Sequence, residues 1–173
     1  MSAVRFPAIP HALGRPALRR LATVVLTATL CTGAVVAPAA AAVPGRVVAL
    51  PSLTSASGRA MVLREARRHL GARYRWGATG PSSFDCSGFT SFVYRKLGVS
   101  LPHSSGAQLG AVRRIPVSSK QPGDLIFFRT RSGRIDHVGI YAGGNLVYAA
   151  SKGAGRVKLQ TIYTSHISVG RVG

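Results

Sequence analysis

The sequence predicts an α+β fold, helices first and sheet second. Two segments in its first two thirds carry apolar residues at helical spacing, and beyond Gln121 the pattern changes to short runs bounded by Gly, Ser or Asn. With 46% apolar residues in 173, the chain can build a core and does not read as disordered.

Residues 1–42 read as an export signal. Arg5, Arg15, Arg19 and Arg20 form a basic start, residues 21–36 are apolar and uncharged, and Ala40-Ala41-Ala42 offers small residues for cleavage. The apolar run is short of the ~20 residues a spanning helix needs, so no stable membrane span is expected after cleavage. Leu30 is bulky where a lipid-attachment signal at Cys31 would have a small residue, and Arg19-Arg20 admits a twin-arginine route. The expected location is extracellular, in the cell wall.

Residues 43–58 mix Pro44, Gly45 and Pro51 with Ser52, Thr54, Ser55 and Ser57, the composition of a linker or N-terminal arm. Residues 59–173 then form the expected domain. Met61, Val62, Ala66 and Leu70 mark a helix over 59–70, with Ser57 as candidate N-cap and Gly71 as its stop. Arg64, Arg67, Arg68 and His69 fall on its wet face. Trp76, in a turn-rich loop, is expected to anchor the core. Phe89, Phe92, Val93 and Leu97 mark a second helix over 86–97, begun by Asp85 as N-cap and closed by Gly98. Residues 101–121 read as an irregular connection. Strands are expected at 124–128, 137–141, 146–150, 156–160 and 167–172, in an antiparallel meander.

The charge is lopsided, with 23 Lys and Arg against 4 Asp and Glu, a formal +19. Without the signal, 19 basic residues face 4 acidic ones, still about +15. Such a surface suits an anionic polymer. Nucleic acid is not expected, since no RNA-binding or helix-turn-helix signature is present and the aromatic residues form no ladder with the basic ones. Anionic wall polymers fit an exported chain better.

Once Cys31 leaves with the signal, Cys86 stands alone and cannot form an internal disulfide. Asp85, Ser87 and Gly88 flank it, where an inert core cysteine would have apolar neighbours. A thiol with the usual pKa near 8.5 is only roughly 3% ionised at pH 7, and a helix N-terminus or an imidazolium lowers that pKa. Cys86 therefore reads as a nucleophile, and it needs a base. His69, His103, His137 and His166 are available. His137 lies in the alternating stretch 136–141, where Gly139 on the same face leaves open space. His103, beside Pro102 in a loop, reads as a surface residue, with substrate contact as the alternative, His69 as structural or solvated, and His166 as a weak candidate. A two-residue turn at Gly143-Gly144 would pair Gly139 with Tyr148, setting Tyr148 diagonally beside His137 as its orienter or as an aromatic packed over the strand. One cysteine and scattered histidines give no zinc-ligand spacing, so no metal or organic cofactor is expected.

In order, Tyr74-Arg75-Trp76-Gly77, Asp85-Cys86-Ser87-Gly88-Phe89, Leu101-Pro102-His103-Ser104-Ser105, residues 121–128 and His137-Val138-Gly139-Ile140-Tyr141 resemble the NlpC family of bacterial cell-wall cysteine peptidases. The resemblance covers roughly residues 60–172. It implies a papain-like fold and hydrolysis of amide bonds in peptidoglycan stem peptides, commonly that between D-Glu and the diamino acid. It also implies Cys86 as nucleophile, His137 as base, and Tyr74 and Ser87 beside the substrate or its oxyanion. The family's third catalytic position falls on Tyr148, and its Gly-Gly after tryptophan is Gly77-Ala78. Two other readings share the fold: a wall-binding or regulatory module without turnover, and a Cys-His amidase or acyltransferase acting on another wall component.

Overall fold

A computed structural model describes residues 51–173. The expected signal at 1–42 and the first half of the 43–58 arm lie outside the described residues. Helix α1 (Ala56–Arg68) starts earlier than the apolar spacing suggests, because Ser55, not Ser57, is its N-cap: Ser55 is extended and its Oγ accepts the Gly58 N–H at 3.1 Å. His69 ends the helix, and its Nε2 lies 3.2 Å from Glu65 Oε1 while its ring meets Phe84 and Phe92 edge-on.

Strands β1 (Arg73–Tyr74) and β2 (Ser83–Phe84) are two residues each, too short for any periodicity. Between them Trp76 is 82% exposed, so it is no core anchor. Helix α2 (Cys86–Lys96) begins at the thiol as expected, with Asp85 Oδ1 accepting the Gly88 N–H at 2.6 Å. Gly88 is required there, since a Cβ would collide with the Ala78 carbonyl oxygen.

Residues 101–121 are more ordered than expected. They contain helix α3 (Ser105–Ala111), strand β3 (Arg113–Ile115) and a 3-10 turn at Val117–Ser119. Leu109 and Gln108 are the buried residues of α3, and with Gly106 and Gly110 in seven residues it has no helical apolar repeat to recognise. Gln108 is fully buried, donating to the carbonyls of Ser87 (2.9 Å) and Pro102 (2.8 Å) and accepting from Thr90 Oγ1 (2.8 Å). That amide ties α3 and its entry loop to α2. The Tyr94 hydroxyl donates to the Gly123 carbonyl and fastens the far end of α2 to the sheet.

The five expected strands are all present as β4 (Leu125–Arg129), β5 (Ile135–Gly143), β6 (Leu146–Ser151), β7 (Arg156–Thr161) and β8 (Ile167–Arg171). The eight strands run in the order β2-β1-β7-β6-β5-β4-β8-β3, antiparallel except for β1 and β2. Alternation along β4 sends Leu125 and Phe127 to one face, with Phe89, Val93, Val138 and Ile140, and Ile126 and Phe128 to the other, with Tyr141, Val147 and Val169. The helices thus cover one face, and α2 delivers Cys86 to the edge of that core.

The β5–β6 hairpin departs from expectation. Its pairs are Ile140 with Tyr148, Tyr141 with Val147 and Gly143 with Leu146, with a bulge between Tyr141 and Gly143. The turn is Gly144-Asn145, one residue later than Gly143-Gly144, and the one-residue slip moves Tyr148 to the opposite face from His137. Tyr148 is 4% exposed in the core under the helices, and its hydroxyl accepts from Arg67 Nε at 3.3 Å.

Candidate active site

Cys86 is 8% exposed at the N-terminus of α2. Two adjoining cavities of ≈ 260 and ≈ 480 Å³ meet at it and share Trp76, Ser104, Ser105 and Asp136. The larger also holds Tyr74 and His137, so the structure brings the expected nucleophile, base and tyrosine to one cleft. The backbone amides of Val138, next to His137, of Ser87 and of Cys86 itself lie near enough to the Cys86 sulfur to favour its thiolate.

Electrostatics at the pair differ from the sequence expectation. Burial pushes the Cys86 thiol up and the Asp85 carboxylate adds to the shift, outweighing the backbone amides that favour thiolate. Burial pushes His137 down, against an opposing pull from Asp136. Both directions favour the neutral pair, thiol beside imidazole. Tyr74 is pushed up by burial, then by Cys86 and Asp85, so its phenol stays a hydrogen-bond donor at neutral pH.

His137 is held on β5 opposite Phe128 of β4, with ring centroids 5.3 Å apart, and Phe128 in turn stacks on Tyr163 at 4.7 Å. On the other side, the side chain that β6 brings to the face of His137 is Ala149, whose Cβ would lie 3.1 Å from a Cβ at Gly139. Tyr148 therefore does not orient His137, and the position beside it carries a methyl group.

Asp85 organises the cleft floor. Its carboxylate accepts the N–H of Gly88 at 2.6 Å and of Gly77 at 2.9 Å, the Ser87 hydroxyl at 3.2 Å and contacts His103 Nε2 at 2.8 Å. Ser87 lines the smaller cavity with its hydroxyl committed to Asp85. His103, read from sequence as a surface residue, is instead part of the site wall. Its sequence signal was its place in the quoted 101–105 motif. Trp76 is the second missed residue, an exposed indole over both cavities. No group of three or more His, Cys, Asp or Glu able to hold a metal occurs among the described residues.

The sequence pattern of the NlpC/P60 family matches residues 71–170, a span holding the whole of this cleft. The chain belongs to the NlpC/P60 family. It is 50% identical over 105 residues to "Probable endopeptidase p60" of Listeria welshimeri, a match covering 60% of this chain and 19% of that one. The chain thus spans about a fifth of the length of that curated relative. Among solved structures, the peptidoglycan hydrolase RipB of Mycobacterium tuberculosis superposes with a TM-score of 0.62 at 31% identity, covering 70% of this chain and 68% of that chain. RipD of the same organism, described as a non-catalytic NlpC/p60 domain protein adapted to peptidoglycan binding, shares the fold at TM-score 0.57 and 22% identity, over 66% of this chain and 97% of that one. The α+β, papain-like architecture of this NlpC/P60 chain follows the expectation from its sequence. None of its described helices is long and apolar enough to cross a membrane.

Proposed function

We propose that the chain is a secreted endopeptidase of the cell wall that hydrolyses stem peptides of peptidoglycan between D-Glu and the diamino acid. The observation that carries the reading is the single cleft lined by Cys86, His137 and Tyr74 in a member of a peptidoglycan hydrolase family. From the neutral resting pair, His137 accepts the thiol proton as sulfur attacks the carbonyl carbon. The oxyanion meets the Cys86 backbone N–H at the start of α2 and the Tyr74 hydroxyl. The imidazolium then protonates the leaving amine, and the thioester left on Cys86 is hydrolysed by water that His137 deprotonates. Digestion of purified muropeptides, followed by mass spectrometry, is expected to give fragments split between D-Glu and the diamino acid. Muropeptides recovered intact overturn the reading.

One observation favours a second reading, a wall-binding module without turnover. Ala149 stands where a base would need a polar partner for its second ring nitrogen. Binding of muropeptides without cleavage in the same digestion decides for it. The third reading, Cys-His chemistry on another wall component, would show as a different mass change.

Attachment to anionic wall polymers is the companion proposal. Two of the four acidic residues are engaged in ion pairs with arginine, Glu65 with Arg68 and Asp124 with Arg171, and Asp85 is taken up by His103 and backbone amides, so most of the basic surface is uncompensated. Arg73 and Arg156 are direct partners across β1 and β7, and Lys158 follows on the same face. Like charges so placed repel each other unless an anion lies between them. Co-sedimentation with purified walls is expected to fall steeply between low and 0.5 M salt, a range over which the Debye length shrinks below ~5 Å. Binding that resists salt excludes an electrostatic attachment.

A further inference from the structure

We infer that Arg134 and Lys152 form a carboxylate-recognition pair on the leaving-group side of the cleft, selecting a diamino acid whose side chain ends in a free carboxylate. The inference rests on the endopeptidase reading and names its substrate more closely. Arg134 ends the β4–β5 turn and Lys152 begins the β6–β7 turn, so two separate loops bring cations to the cavity of Cys86 and His137. Both side chains are exposed, and neither joins an ion pair among the described residues.

Their placement has a direction. His137 protonates the leaving amine, so that amine lies within hydrogen-bond reach of the imidazole. The rest of the released residue then occupies the cavity shared with His137, whose wall contains both cations. The smaller cavity has no lysine or arginine in its wall and holds Asp85 and His103 instead. The cations are therefore confined to the half of the cleft that receives the amine-bearing product.

Charge at the tip of the diamino side chain decides which product fits. A lysine tip is an ammonium alone, and two cations repel it. A diaminodicarboxylate tip, as in diaminopimelate, carries an ammonium and a carboxylate on one carbon. Arg134 and Lys152 take the carboxylate, and Asp136, an exposed acid in the same wall, faces the ammonium. Amidation of that carboxylate leaves a net positive tip and returns the substrate to the lysine case.

The test uses three tetrapeptides, L-Ala-γ-D-Glu-X-D-Ala, with X as diaminopimelate, its side-chain amide or lysine, so that the terminal carboxylate is constant. For the wild-type protein, kcat/KM for the free carboxylate is expected to exceed the other two by about 10-fold, the scale of one charge-assisted hydrogen bond at an exposed site. The difference should lie in KM. In the Arg134→Gln, Lys152→Gln double variant the ratio falls to near one. Equal kcat/KM for the three peptides, or a ratio unchanged in the double variant, overturns the inference while leaving the endopeptidase reading intact. If no peptide is cut, that reading fails, and calorimetric binding of the same peptides to wild type and double variant decides in the same way. Tighter binding of the free carboxylate that the double variant loses upholds the pair, and equal affinities overturn it.

Discussion

Replacement of Cys86 by alanine abolishes stem-peptide hydrolysis in a protein that still folds. The expected loss is roughly 10⁴-fold or more, since without sulfur no acyl-enzyme forms and His137 alone has nothing to activate but water. The stability cost is small by comparison, because Cys86 contributes one sulfur at the rim of the core under α2. Circular dichroism and a muropeptide digest of the variant check the two halves. Retained cleavage would remove Cys86 from the mechanism. The thiol's titration supplies a further check. Burial and Asp85 raise its pKa above the ordinary ~8.5, so the thiolate fraction at pH 7 is below that of a free cysteine. Alkylation by iodoacetamide should therefore be slow at neutrality and still climb beyond pH ~9. A plateau below pH 7 would mean a preformed thiolate and imidazolium instead. His137 must be neutral to accept the proton, and because burial lowers its pKa, kcat/KM should hold at mildly acidic pH and fall only below the usual ~6.5.

Replacement of Asp85 by alanine has the second largest effect, and it acts on fold and site together. The carboxylate is 5% exposed and receives two backbone amides and a hydroxyl besides the His103 contact. Loss of the α2 N-cap costs about 1 kcal/mol, and the orphaned Gly77 and Ser87 donors bring the total to roughly 3 kcal/mol. For a domain of this size the melting temperature should drop by roughly 10 °C. Activity should fall further than stability explains, since the Trp76-Gly77 loop and His103 lose their anchor beside the nucleophile. Asp85→Asn separates the effects. It keeps the shape of the cap and removes the charge that raises the thiol, so alkylation at pH 7 should speed up while turnover drops. Unchanged alkylation in both variants would show that Asp85 acts on packing alone.

The sequence made the two reacting groups legible because each sits inside a regular pattern. Cys86 opens a helix whose apolar face is plain from Phe89, Phe92 and Val93, and His137 lies near the start of a strand in the alternating stretch 136–141. The environment of those groups depends on distances that no local pattern encodes. Tyr148 shows the difference most clearly. A single bulged residue between Tyr141 and Gly143 reverses the face of everything that follows, and nothing in Gly143-Gly144-Asn145 announces which two residues make the turn. The sequence favours the surface for His103 because its partner, Asp85, is 18 positions away and the two meet only through the fold. Trp76 was misplaced for the opposite reason: its size argues for burial, yet its loop has no periodic neighbours to bury it with. The raised thiol was also out of reach, since the helix terminus can be read from sequence and the depth of burial cannot.

The helix that carries Cys86 is fastened along its length by the Gln108 amide, Thr90 and the Tyr94 hydroxyl, all buried, whereas Arg134 and Lys152 stand on exposed turns that no core residue depends on. Mutation therefore meets two regimes in one cleft. A change near the nucleophile is paid in folding free energy and purged whatever its effect on chemistry, while the turns drift almost without penalty. A lineage built on this scaffold can exchange one wall chemistry for another by altering a few turn residues, inheriting its reaction unchanged.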